Sequence, residues 1–175
     1  MKTIKKAKLN SVSYLEVEFT EKVSNDQNET FTFEAEQKCT WSPHNDLLVL
    51  LDELKPHLAC LCEQVSTEDL DKQENHPILS KLKVTGFTIG GEAEHEGVTL
   101  IGRRVLAHNR VLNLISPFTK WEDEHNGYSR SYEMANTIQK LQEEVVAYLN
   151  GKKAPKVQTE LDFENISTKQ LVEAE

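Results

Sequence analysis

The sequence predicts an α+β protein: a mostly antiparallel sheet in the order β-β-α-β-β-β-α, with two amphipathic helices on one of its faces. Three observations lead there. Apolar residues alternate one by one early in the chain, recur at helical spacing in two later segments, and crowd into three short β-branched runs between those segments.

The alternation comes first. Leu15, Val17 and Phe19 take turns with Glu16, Glu18 and Thr20, and Phe31, Phe33 and Ala35 with Thr32, Glu34 and Glu36. A period of two with one charged face describes strands buried on one side. The stretch Ser24-Asn25-Asp26-Gln27-Asn28 between them is rich in side chains that bond their own backbone, so the pair reads as an antiparallel hairpin with a longish loop.

The period then changes. Trp41-Ser42-Pro43 sets a hydroxyl at an N-cap and proline at the first helical position, where a missing N–H is harmless. Leu47, Leu51, Leu54, Leu58, Leu61 and Val65 follow at spacings of 4, 3, 4, 3 and 4, a stripe widened by Leu48 and Leu50. Pro56 lies on the opposite side of this stripe, which runs past it in register, so a kink in one rod is expected rather than a division. The polar stretch from Ser66 to Pro77 marks a connecting loop or a short acidic helical turn.

Strands are predicted over 82–89, 98–107 and 111–115 from their Val, Ile, Leu and Thr content, punctuated by Gly90-Gly91, Gly97 and the pair His108-Asn109. Asn tolerates positive φ, so the last two strands should join in a tight hairpin. Gly86 and Gly102 inside strands imply a bulge or a close backbone approach. Met134, Ile138, Leu141, Val145 and Leu149, spaced 4, 3, 4 and 4, define the second helix, with Ser131 as N-cap and Gly151 as the residue that stops it. Residues 1–151 read as a single domain and 152–175 as a linker and tail.

Composition narrows the function. With 38% hydrophobic and 28% charged residues the chain is of globular type, and no run reaches the 18 or so apolar residues of a membrane-spanning helix. The basic N-terminus leads into no apolar segment and the three cysteines are an odd number, so a cytoplasmic protein with reduced thiols is expected. A net charge of -9 makes the molecule as a whole repel phosphate. Ten of the twenty bases nevertheless gather in three stretches: Lys2, Lys5, Lys6 and Lys8; Arg103, Arg104 and Arg110; Lys152, Lys153 and Lys156. Folded together they would form a basic strip for a nucleic-acid backbone, such as single-stranded DNA; apart, they are solvated surface charge. Trp41, Phe87, Phe118, Trp121, Tyr128 and Tyr132 would stack bases if exposed beside those arginines, and would otherwise pack in the core.

Two acidic loops carry imidazole, Glu92 to Glu96 and Glu122-Asp123-Glu124-His125. If they converged, Glu94, His95, Glu96, Asp123 and His125 would offer the ligands of a hydrolytic metal centre; if not, they are solvated loop charges. Cys60 and Cys62 stand two apart on a helix and point to different sides, which does not suit one ion. The run from Gly86 to Gly91 lacks the Lys-Ser/Thr of a phosphate loop. No catalytic residue and no cofactor is expected.

The tail contains Gln158-Thr159-Glu160-Leu161-Asp162-Phe163. These six residues resemble the Gln-x-x-Leu-x-Phe motif with which bacterial replication and repair proteins bind the DNA polymerase sliding clamp, with Thr159 where an apolar residue is usual. The resemblance implies that Gln158 hydrogen-bonds at the rim of the clamp pocket while Leu161 and Phe163 fill it. The other reading makes Leu161 and Phe163 one face of a last strand on the body.

The runs Val84 to Gly91, Glu96 to Gly102, Val111 to Phe118 and Val145 to Lys153 resemble small uncharacterised proteins of bacteriophages and prophages. That resemblance implies a setting in mobile-element DNA metabolism. The expectation is therefore a non-enzymatic accessory protein of phage or mobile-element DNA replication or recombination. The alternatives are a metal-dependent hydrolase or nuclease, and a plain protein-binding module with leucines 47 to 61 in a homo-oligomer interface.

Overall fold

The structure is a computed structural model that describes residues 2–24, 29–73, 76–121 and 127–155. Its strands are β1 (Lys2–Leu9), β2 (Leu15–Ser24), β3 (Thr30–Lys38), β4 (Leu82–Gly90), β5 (Gly97–Val105), β6 (Val111–Ile115) and β7 (Thr119–Lys120). The helices are α1 (Asn45–Glu53), α2 (Lys55–Leu61), α3 (Thr67–Lys72) and α4 (Ser131–Leu149). The strands form one antiparallel sheet in the order β3-β2-β1-β4-β5-β6, with β7 also on β5. The α+β class read from the sequence holds.

The sequence reading passes over β1, although it joins the β2-β3 hairpin to the β4-β5-β6 meander. Its buried residues are Ile4, Ala7 and Leu9, and an irregularity between Ile4 and Lys6 shifts the phase of alternation by one. A strand that changes phase midway, with lysines at four of its eight positions, shows no period of two.

The expected kinked rod is two helices. α1 ends at Glu53, Leu54 caps both helices, and α2 begins at Lys55 with Pro56 in its first turn, where the absent N–H breaks no helical bond. The stripe survives the division: Leu47, Leu51, Leu54 and Leu58 are all buried. The cap of α1 is His44, whose Nδ1 accepts from the Asp46 N–H, while Ser42 and Pro43 precede the helix. Arg130, not Ser131, holds the N-cap position of α4. At its other end Gly151 adopts φ 105°, a left-handed conformation that stops the helix as expected. Ser66 caps α3 by accepting from the Asp69 N–H, so the polar connection does contain a short acidic helix.

All the buried apolar side chains of the sheet meet α1, α2 and α4 in one cluster with Phe87, Leu100, Met134, Ile138 and Tyr148 among its largest members. Gly102 lets α2 pack close on the sheet: a Cβ there would lie 2.4 Å from Leu58 Cδ2 and 2.6 Å from the Lys83 carbonyl. Gly86 follows a bulge in β4, and its own Cβ would sit 2.3 Å from the Ala7 carbonyl. His108 and Asn109 turn the β5-β6 hairpin with φ of 60° and 57°.

Phe31 and Phe33 depart from expectation. They share a face with Phe19 in the β2-β3 register, yet remain exposed because that hairpin extends past the helices. The opposite face of the whole sheet is covered by no helix among the described residues, and none of the described helices is long and apolar enough to cross a membrane.

Candidate nucleic-acid interface

The end of β1, the start of β4, the end of β5 and the start of β6 come together at one end of the sheet. On the open face there, Lys8, Lys83 and Arg103 line a concavity of about 310 Å³ with Asn10, Ser11, Ser13, Thr85 and Asn113. The β1-β2 turn supplies its hydroxyls. Asn10 Oδ1 accepts from the N–H groups of Val12 at 3.1 Å and Tyr14 at 2.9 Å, and Ser13 takes φ 66°, which ties Ser11 and Ser13 to the rim.

The electrostatics are one-sided. Lys83 and Arg103 are direct cross-strand partners, an arrangement that repels. No carboxylate lines the concavity, and none of the ion pairs within the described residues uses Lys8, Lys83 or Arg103. The nearest acid in register is Glu16, across the ladder from Lys8. Exposed Lys81 lines a second concavity, which Lys83 and Arg103 share with Asp52 and Lys55. Lys83 belongs to none of the three basic stretches of the sequence, and only the β4-β5 register reveals it as the centre of the cluster.

The three stretches do not form one strip. The first reaches the site through Lys8 and the second through Arg103. Arg104 points to the helical side and donates from Nη1 to Gln64 Oε1 at 2.6 Å. Arg110 is exposed on the β5-β6 hairpin, where its Nε meets the Ala107 carbonyl at 3.5 Å. Lys152 is committed on the helical side, bonding Asp46 at 2.7 Å and Glu144 at 2.7 Å. Those two carboxylates raise its pKa. Lys153 is exposed, and Lys156 lies outside the described residues.

The aromatic residues provide no stacking platform at the site. Phe87 is buried, Trp41 packs on Tyr148 with ring centroids 5.4 Å apart, and Tyr128 stands edge-on to His57. Phe118 and Tyr132 are exposed but line no part of the concavity. Trp121 donates from Nε1 to Glu96 Oε2 at 3.4 Å.

That last contact bears on the acidic loops, since Trp121 also donates its backbone N–H to the Glu96 carbonyl and immediately precedes the second loop. Glu94, His95 and Glu96 are exposed, Asp123 and His125 lie outside the described residues, and no group of three metal-ligating side chains occurs among the described ones. His57 serves the core: its Nδ1 is 3.1 Å from the Tyr128 hydroxyl, and burial pushes its pKa down to about 4. The leucine stripe does not await a second copy, because Leu47, Leu51, Leu54 and Leu58 are buried within this chain. Gln158, Leu161 and Phe163 lie outside the described residues.

Comparison with protein-family models, curated proteins and solved structures finds no match to this chain.

Proposed function

We propose that this chain is a non-enzymatic accessory protein of phage or mobile-element DNA replication or recombination. Its body holds the phosphates of single-stranded DNA between Lys8, Lys83 and Arg103, and its tail engages the polymerase sliding clamp through Gln158, Leu161 and Phe163. The observation that supports the DNA half is the face-to-face placement of Lys83 and Arg103 in a concavity that no carboxylate lines, a local repulsion that a bound polyanion would relieve. The net charge of -9 sharpens the effect, because the rest of the surface turns a polyanion away and leaves it one place to land.

A concavity that sets cations, hydroxyls and amides beside Leu9, Ile101, Leu114 and Ile115, with no aromatic side chain among its lining, suits phosphate and sugar rather than stacked bases. Binding is then tolerant of sequence. It is also weak, and the tail compensates: linking two binding sites raises the local concentration of one near the other into roughly the millimolar range. The metal-dependent alternative has less support, since Glu94 and His95 are exposed and free of a third described ligand.

Fluorescence anisotropy of a labelled single-stranded oligonucleotide with the full chain tests the body. Three phosphate contacts give a slope of log affinity against log salt near about -2, and removing Lys83 and Arg103 together reduces its size by about 1.4. Affinity indifferent to salt, or unchanged in Lys83→Ala/Arg103→Ala, refutes the DNA half. Calorimetric titration of the full chain into a bacterial clamp tests the tail, with Gln158→Ala/Phe163→Ala expected to abolish the heat.

A further inference from the structure

We infer that the outer edge of β6 is an interface for a second copy of this chain, the two β6 strands pairing antiparallel about Asn113. Ser116 donates its N–H to the Leu100 carbonyl, and Arg110 accepts at its carbonyl from Leu106, so the even-numbered residues of β6 address β5. The N–H and C=O groups of Val111, Asn113 and Ile115 therefore point away from the sheet. No described strand pairs with them.

Natural sheets protect such edges with charges, proline or bulges. β6, Val-Leu-Asn-Leu-Ile, has none of the three, and Val111 (52%), Leu112 (41%) and Ile115 (68%) remain exposed. The other edge contrasts with it: β3 presents Glu34, Glu36 and Lys38, and self-pairing there sets acid against acid.

What selects a second copy rather than an unrelated peptide is the order of residue types. Read from either end, β6 runs β-branched, Leu, Asn, Leu, β-branched. An antiparallel pair centred on Asn113 matches Val111 with Ile115 of the other copy, Leu112 with Leu114, and Asn113 with itself. This is the self-complementarity that a two-fold interface demands. All three outward-pointing residues then fall in hydrogen-bonded pairs, giving about six new backbone bonds. Leu112 joins Leu114 of the other copy on the helical face, extending the core across the junction, while the two Asn113 amides meet on the open face.

Sedimentation velocity of the full chain from about 1 µM to about 1 mM tests this. The expected result is a concentration-dependent species of twice the 20.0 kDa monomer mass. Val111→Lys/Ile115→Lys opposes like charges at both outer pairs and should be monomeric. Mixed with Val111→Glu/Ile115→Glu it should recover the dimer, which also shows that each variant is folded. Asn113→Cys fixes the register, because hydrogen-bonded partners lie about 5.5 Å apart at Cα, within disulfide range. Mild oxidation should link two Asn113→Cys chains and leave the wild type, with its three native cysteines, unlinked. A monomer throughout the concentration range, or a dimer indifferent to the lysine pair, overturns the inference.

Discussion

The two faces of the sheet treat charge in opposite ways. On the helical side His57 is held uncharged against Tyr128, and Lys152 meets two carboxylates. On the open face Lys83 stands opposite Arg103 in a concavity that no carboxylate lines. Folding accounts for the first arrangement and gains nothing from the second. Under the proposed function the opposite charge arrives with the nucleic acid.

Breaking the covered face has the largest expected effects. Leu58→Ala removes a fully buried side chain that fills the space left by Gly102, and should lower stability by about 3 to 4 kcal/mol in urea denaturation. Acid is the next lever. His57 has a folded-state pKa of about 4 against an ordinary 6.5, so the unfolded chain takes up its proton first as pH falls. Its contribution is intact above pH 6.5 and is lost progressively down to about pH 4, about 3 kcal/mol in all. In His57→Gln that limb of the stability-versus-pH curve should flatten; an unchanged limb would place the proton elsewhere.

Gentler tests sharpen the contrast. Lys152→Met should reduce thermal stability at low salt, and the deficit should shrink near 1 M salt, where an exposed ion-pair network is screened in the wild type too. Lys83→Glu is the smallest change and has the opposite sign. It replaces repulsion by attraction across the β4-β5 ladder and should stabilise by about 0.5 kcal/mol while weakening oligonucleotide binding. A variant that gains stability as it loses binding separates the two roles of the open face.

The legible part of the sequence was that in which one periodicity persisted. The helical leucines and the alternation in β2 announced themselves because burial on one side dictates spacing. β1 was hidden by its own bulge, and the break between α1 and α2 by a stripe that continued in register across Leu54. Phe31 and Phe33 misled in another way, since alternation reports a shared face and not what covers it. For the cationic concavity the difficulty lies in distance along the chain. Lys8, Lys83 and Arg103 become neighbours only through strand register, and two of the three basic clusters visible in the sequence contribute one residue each.

The central position of β1 has a consequence for how the protein is made. Its partner Gly86 lies 78 positions downstream of Lys8, so a chain leaving the ribosome can close the β2-β3 hairpin early but must keep the far side of β1 open until β4 emerges. During that wait Ile4, Ala7 and Leu9 lack their cover, and a nascent molecule that lends this strand to a neighbour would exchange halves with it.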